Sequence, residues 1–190
     1  MKDVRDVKAE RDYKSVGDRE LIQMFSDGDR RAFDEFYKRY YMSLMRFIMA
    51  YCGNRSLAED VVQDIFLKLL DFKVRHGLVR NIKSYIYSSA LNRCRDIIRK
   101  EKKGSSLNRG GEDEVFSDER ADGHIDIDIM HRFIEKLPEK QKEVLLLRTK
   151  SELMFREIGE LLGMSENSAK VNYFYALTSL KKMMGGRENE

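Results

Sequence analysis

The stretch from Phe155 to Met184, FREIGELLGMSENSAKVNYFYALTSLKKMM, carries the tightest pattern in the chain. Ile158, Leu161 and Leu162 recur at helical spacing and give a first helix its inner face. Gly163 supplies the left-handed backbone that a tight turn needs, and Gly159 is small where two helices must cross closely. Met164 plugs the turn from inside, and Ser165 caps a second helix. Ala169, Tyr173, Ala176, Leu177 and Leu180 continue the core at helical spacing. These features spell a helix-turn-helix over about 155–183. Asn167, Ser168, Lys170, Val171, Asn172, Phe174 and Tyr175 are left on its outward face, early in the second helix. A recognition helix enters the major groove with this part, because its side chains reach base edges first. Lys170 suits a phosphate or guanine, Asn172 a base edge and Val171 a thymine methyl. Lys181 and Lys182, farther along, suit backbone phosphates. An ordinary helical hairpin with a polar face would not need glycine at the turn, serine at the cap and small residues at both crossings.

Upstream, the same periodicity predicts two more helices beside this pair, at about 126–136 and 138–150, the second started by Pro138, the only proline. Residues 104–125 break every pattern. With four glycines they read as a flexible linker, and from Glu112 to Asp128 eight acids stand against Arg120 alone. Before the linker, Asp18 and Asp29 are candidate caps for helices that stop near Gly28 and Gly53. Ser56 and Glu59 have capping-box spacing for a helix burying Val62, Ile65, Phe66, Leu69 and Leu70. A loop over 73–81 leads to a fourth helix from about Ile82 to Lys102 with Ile86, Ala90, Cys94, Ile97 and Ile98 inside. The expected fold is all-α: two small helical domains, 18–103 and 126–184, joined by a flexible acidic linker over 104–125. Tails at 1–17 and 185–190 flank them, and four helices fall on each side of the linker.

Composition agrees with a helical protein and excludes several classes. Charged residues make up 36% of the chain, yet 36 Lys and Arg against 33 Asp and Glu leave only +3, so the distribution of charge decides. No apolar run approaches the ~20 residues of a membrane span, and the N-terminus lacks the apolar core of a signal peptide. The expected location is the cytoplasm. Cys52 and Cys94, far apart in sequence, form neither a disulfide framework nor a ligand set and read as small buried hydrophobes. His76, His124 and His131 lack the Glu-x-x-His pairing of a helical di-metal site, so neither metal, cofactor nor catalytic set is expected. No GxxxxGK[ST] phosphate loop occurs.

The fourth helix ends in RCRDIIRKEKK, where Arg93, Arg95, Arg99, Lys100, Lys102 and Lys103 face Asp96 and Glu101. A basic face beside Tyr85 and Tyr87 is a combination that holds nucleic-acid strands. By itself it equally suits a solvated helix end complementing the macrodipole.

The order of elements goes further. GDRRAFDEFYKRYY (28–41), AEDVVQDIFLKLLDF (58–72), NIKSYIYSSALNRCRDIIRK (81–100), LPEKQKEVLLLR (137–148) and the helix-turn-helix together resemble the bacterial sigma-70 family. More narrowly the series looks like its two-domain extracytoplasmic-function (ECF) group. The resemblance covers about 18–103 and 126–183, and it implies a promoter-recognition subunit of RNA polymerase. It implies that the helix matching Ala58–Phe72 docks on core polymerase, which carries that role to Asp60, Gln63, Asp64 and Lys68. It implies recognition and melting of a −10 element by 73–103, with a base pocket at Val74–Arg80. The non-template strand path falls to Arg80, Asn81, Ser84, Tyr85, Tyr87, Asn92, Arg95, Arg99, Lys100 and Lys103. Duplex −35 DNA falls to Asn167, Ser168, Lys170, Val171, Asn172, Tyr175 and Lys181. Members of the group are often held inactive by an anti-sigma factor between their domains, which adds that class of partner. Tyr85 stands where many relatives have Trp, and Asn172 and Tyr175 where Arg is frequent. A free-standing operator-binding regulator is the alternative reading of the helix-turn-helix, but it requires neither the docking helix nor the strand-holding one.

Overall fold

The computed structural model describes residues 12–69, 81–103 and 127–185. The expected base pocket at Val74–Arg80, most of the N-terminal tail, the linker over 104–125 and the last five residues lie outside the described residues. Eight helices are described: α1 (Asp18–Ser26), α2 (Arg30–Cys52), α3 (Arg55–Leu69), α4 (Ile82–Lys103), α5 (Ile127–Glu135), α6 (Glu139–Lys150), α7 (Phe155–Leu162) and α8 (Glu166–Gly185). Four precede the linker and four follow it, as the periodicity predicts.

Local chemistry sets most of the boundaries. Asp29 Oδ1 accepts from Arg31 N at 3.1 Å to start α2, and Gly53, at φ 68°, ends it with its N–H on Met49 O. Two expected caps move. Asn54, not Ser56, caps α3, its Oδ1 accepting from Leu57 N at 2.9 Å; Glu59 pairs with Arg55 instead. Asp18 opens α1 from within, its N-cap being Gly17, and its carboxylate turns to Arg39 (2.6 Å) and the Tyr40 hydroxyl. A carboxylate with a guanidinium in reach gains more there than on a backbone amide.

Of the expected tail over 1–17, residues 12–17 are folded. Asp12 caps a 3-10 turn at Tyr13–Ser15, Tyr13 donates to Asp29 Oδ2 at 2.8 Å, and Arg39 donates to the carbonyls of Tyr13, Lys14 and Val16. An arginine offers five donors, and here three backbone carbonyls accept from it and hold the turn on α2.

The N-terminal helices pack around α2, whose buried face runs Ala32, Phe36, Tyr40, Leu44, Phe47, Ile48 and Tyr51. The two halves are not merely tethered. Helix α6 is buried from Lys142 through Leu147 without a break, because it lies between α2 on one side and α7–α8 on the other. Four consecutive apolar residues, Val144–Leu147, span every side of a helical turn and must be covered on every side. The two half-cores join there into one cluster.

Cys52 and Cys94 meet between α2 and α4 despite their separation in sequence. Contact with the Cys52 thiol, and then burial, hold the Cys94 thiol far above its usual range, so it stays protonated. No described helix is long and apolar enough to cross a membrane.

Candidate nucleic-acid interface

The turn between α7 and α8 is built as its residues dictate. Gly163 sits at φ 67°, ψ 39°, and Met164 N donates to Gly159 O at 2.9 Å. A Cβ on Gly159 would meet Met164 O at 2.7 Å, so only glycine lets the turn fold back on α7. Ser165 Oγ accepts from Ser168 N at 3.0 Å and caps α8, while Ala169, Ala176 and Leu180 seat it on the core.

Its outward face is exposed over Asn167, Ser168, Lys170, Val171, Phe174, Tyr175 and Lys181. Val171, Phe174 and Tyr175 show 41, 64 and 53% of their surface, so the face is more apolar than its few lysines suggest. Asn172 is half-buried and donates to Ser168 O at 2.9 Å, and Lys170 pairs with Glu166 at 2.6 Å. Both bonds lie within one helical turn and can be exchanged for an outside partner. Leu177, expected in the core, is 44% exposed and joins this outer face. At about 100° per residue it lies beyond the buried arc of Ala169, Ala176 and Leu180.

Helix α4 presents a different picture. At about 100° per residue, Asn81, Ser84, Tyr85, Asn92, Arg95 and Arg99 fall within one arc about 100° wide. Tyr87 does not. It points inward with Ala90 and Cys94, is 1% exposed, and meets Phe47 edge-on at 5.5 Å. The expectation that Tyr87 lines a strand path is corrected: two residues past Tyr85 on a helix is another face. Burial, the larger cause, raises its hydroxyl pKa, against a hydrogen bond with Ser43.

The other α4 candidates divide by what holds them. Asn92 and Lys100 are exposed, Ser84 and Tyr85 half-buried, and Arg99 pairs with Asp96 at 2.9 Å in full view of solvent. Arg95 and Asn81 are engaged across the seam. Arg95 Nε donates to Glu143 Oε1 at 2.6 Å, and Glu143 is wholly buried in α6. That hydrogen bond, opposed by partial burial, raises the Arg95 pKa further. Lys142 beside it donates to Tyr51 O at 2.7 Å and lies 4.4 Å over the Tyr51 ring. Asn81 caps α4 through Ser84 N and donates to Glu157 Oε1 at 2.9 Å; Glu157 also accepts from Met154 N at the start of α7. Lys103 closes α4 with its backbone, its side chain lying outside the described set, as does Arg80 altogether.

On α3, Asp60, Gln63 and Lys68 are exposed, and Asp64 approaches Arg93 at 3.6 Å. Leu67, 62% exposed, shares this face by its spacing of three from Asp64 and four from Gln63. Helical spacing alone would have added it to the docking set.

Comparison with known proteins places this arrangement. The Sigma-70 region 2 family matches residues 36–104 and the Sigma-70, region 4 family residues 127–180, together about two thirds of the chain. The ECF RNA polymerase sigma factor SigM of Bacillus subtilis is 24% identical over 83% of this chain and 98% of its own. SigW of the same organism, also an ECF sigma factor, is 27% identical over 86% and 94%. In structure, the sigma factor RpoE from Bartonella quintana, solved with the anti-sigma factor NepR, superposes with a TM-score of 0.62 at 17% identity, covering 80% of this chain and 97% of RpoE. Two region models in the family's order, with relatives matched almost end to end, have one meaning: the chain belongs to the sigma-70 family, in its extracytoplasmic-function group.

Proposed function

We propose that this protein binds core RNA polymerase through the outward face of α3, reads a duplex −35 element with α8, and recognises and opens a −10 element with α4. One observation carries the reading: a basic helix followed by a solvent-facing helix-turn-helix, in a single chain, in the order of sigma regions 2 and 4. Asp60, Gln63, Asp64 and Lys68 are assigned to polymerase, with Leu67 as their apolar centre. Asn167, Ser168, Lys170, Val171, Asn172, Tyr175 and Lys181 are assigned to −35 DNA. Arg80, Asn81, Ser84, Tyr85, Asn92, Arg95, Arg99, Lys100 and Lys103 are assigned to the −10 strand. Opening needs no nucleotide hydrolysis. Unstacking a base costs a few kcal/mol, which a receptive pocket and phosphate contacts offset. Arg95 must leave Glu143 before it can meet a phosphate, so engaging the strand also parts the two halves. An anti-sigma factor, as bound by the Bartonella RpoE, belongs to the same reading as an inhibitory partner, and the protein would work in the cytoplasm.

Footprinting on a promoter library tests it. Protection of spaced −35 and −10 elements only when core polymerase is added is the expected result. Protection of a palindrome by the protein alone would instead make it a free-standing regulator.

A further inference from the structure

Where α2, α4 and the end of α6 converge, a cleft of about 590 Å³ opens between the two halves. Arg39 and Arg46 of α2, Lys83 of α4 and Lys150 of α6 line it, with Glu152 as the one carboxylate. Arg39 is already matched by Asp18, so the lysines, one from each half, carry the cleft's excess of positive charge. Lys83 and Lys150 are half-buried and have no ion-pair partner among the described residues. The hydroxyls there are mostly spent as donors within the protein: Ser43 on Tyr40 O, Thr149 on Leu145 O, Ser151 on Leu147 O. The lysine ammoniums are therefore the donors that remain for a guest.

Two further features mark this place. Glu152 holds φ 56°, the only described non-glycine residue in the left-handed region, and such backbone gathers at functional sites. The Tyr87 hydroxyl, at the floor, feels both Glu152 and Arg46, so the groups of the two halves converge on one space. Walls of low dielectric focus the field of like charges in a cleft. Its volume lies in the ~300–1,000 Å³ range of small-molecule sites, too confined for a duplex or a folded partner.

We propose that this cleft binds a small anion carrying two or more linked phosphates, and that it does so only while the two halves are closed on each other. Lys83 and Lys150 are its principal ligands, one from each half, and compact ammonium charges suit phosphate oxygens. A ligand that needs both walls stabilises the closed arrangement by linkage. Closure keeps Arg95 on Glu143, so the anion opposes engagement of the −10 strand; that consequence, unlike the binding, rests on the function proposed above.

Calorimetric titration of the full chain with inorganic tripolyphosphate, at fixed ionic strength, tests the site directly. One saturable equivalent is expected. The double variant Lys83→Glu, Lys150→Glu should weaken it by more than about tenfold, while Lys38→Glu, Lys136→Glu, the same charge change outside the cleft, should not. Thermal unfolding of each variant shows whether it is folded, and the milder Lys150→Gln gives a second reading of the same wall. Arg95→Ala, outside the cleft, should also weaken binding by loosening the closed arrangement. No saturable binding, equal losses in both double variants, or competition by sulfate at matched ionic strength as strong as by tripolyphosphate would each overturn the site. Unchanged affinity in Arg95→Ala would overturn its dependence on closure. If the cleft variant loses promoter DNA as severely as tripolyphosphate, the cations belong to the DNA path and the proposal fails. Because binding is read without polymerase, its failure leaves the promoter-recognition reading standing, and the reverse holds too.

Discussion

The outward faces of α8 and α4 are both assigned to DNA, yet they stand in opposite states. On α8, the bonds made by assigned side chains stay within the helix and its cap, as Lys170 pairs with Glu166 and Asn172 with Ser168. On α4, Arg95 and Asn81 are held by Glu143 and Glu157 of the other half. A duplex can meet the first face as it is. The second must first exchange protein partners, one of them the buried Glu143, for nucleic acid. The difference teaches that a shared role does not imply shared readiness, and that readiness lies in the partners a side chain already has.

Four measurements break or sharpen this contrast. The largest effect belongs to Tyr87→Ala: removing a core aromatic should cost about 3–5 kcal/mol of stability in chemical denaturation. A loss below 1 kcal/mol would return Tyr87 to the strand path. Next, Arg95→Ala takes the nearest cation from a buried carboxylate and leaves it, among the described residues, only Lys140 at 3.8 Å and the Tyr51 hydroxyl at 3.5 Å, so the cost should approach the roughly 3 kcal/mol of a broken buried pair. Its counterpart Arg99→Ala, removing an exposed pair, should cost well under 1 kcal/mol. Scattering should report a larger radius of gyration for Arg95→Ala; equal behaviour of the two variants would mean the seam does not depend on this ion pair. Third, Tyr85→Ala should leave the fold intact and weaken strand opening by about 1–3 kcal/mol, the worth of one stacked base. Normal permanganate reactivity of promoter thymines would show that Tyr85 only packs. The smallest effect is Lys170→Ala, which should weaken duplex −35 binding and lower its salt slope by about one. An unchanged slope would place Lys170 away from phosphate, still on Glu166.

Most of the fold was legible because local rules govern it. Helical periodicity located eight helices, and glycines at 28, 53 and 163 marked stops that the backbone uses with positive φ. Gly159 was legible as a crossing point because nothing but hydrogen fits there. The misplacements have equally physical causes. Tyr87 was grouped with Tyr85 by composition, although their two-residue spacing separates their faces. Leu177 reads as core because leucine is apolar, but it lies on the edge of the helix beyond the buried arc of Ala169, Ala176 and Leu180. Ser56 looked like a cap by its spacing to Glu59, and Asn54 was better placed.

What sequence pattern did not contain is the seam. Lys142 and Glu143 sit in an amphipathic-looking stretch, and only the approach of α2 and α4 from some fifty to ninety residues away buries them. The meeting of Cys52 with Cys94 is hidden for the same reason. Periodicity reports which face is covered, but not by what.

The turn at residues 12–16 has a practical consequence for anyone preparing this protein. Its three carbonyls, together with Asp18, occupy the guanidinium of Arg39, which is also a wall of the interdomain cleft. A truncation that begins at Asp18 would keep the carboxylate but discard those three acceptors, leaving donors of Arg39 to find others. Such a shortened chain would carry a stickier cleft than the natural one. Anion affinities are therefore to be measured on protein that begins no later than Asp12.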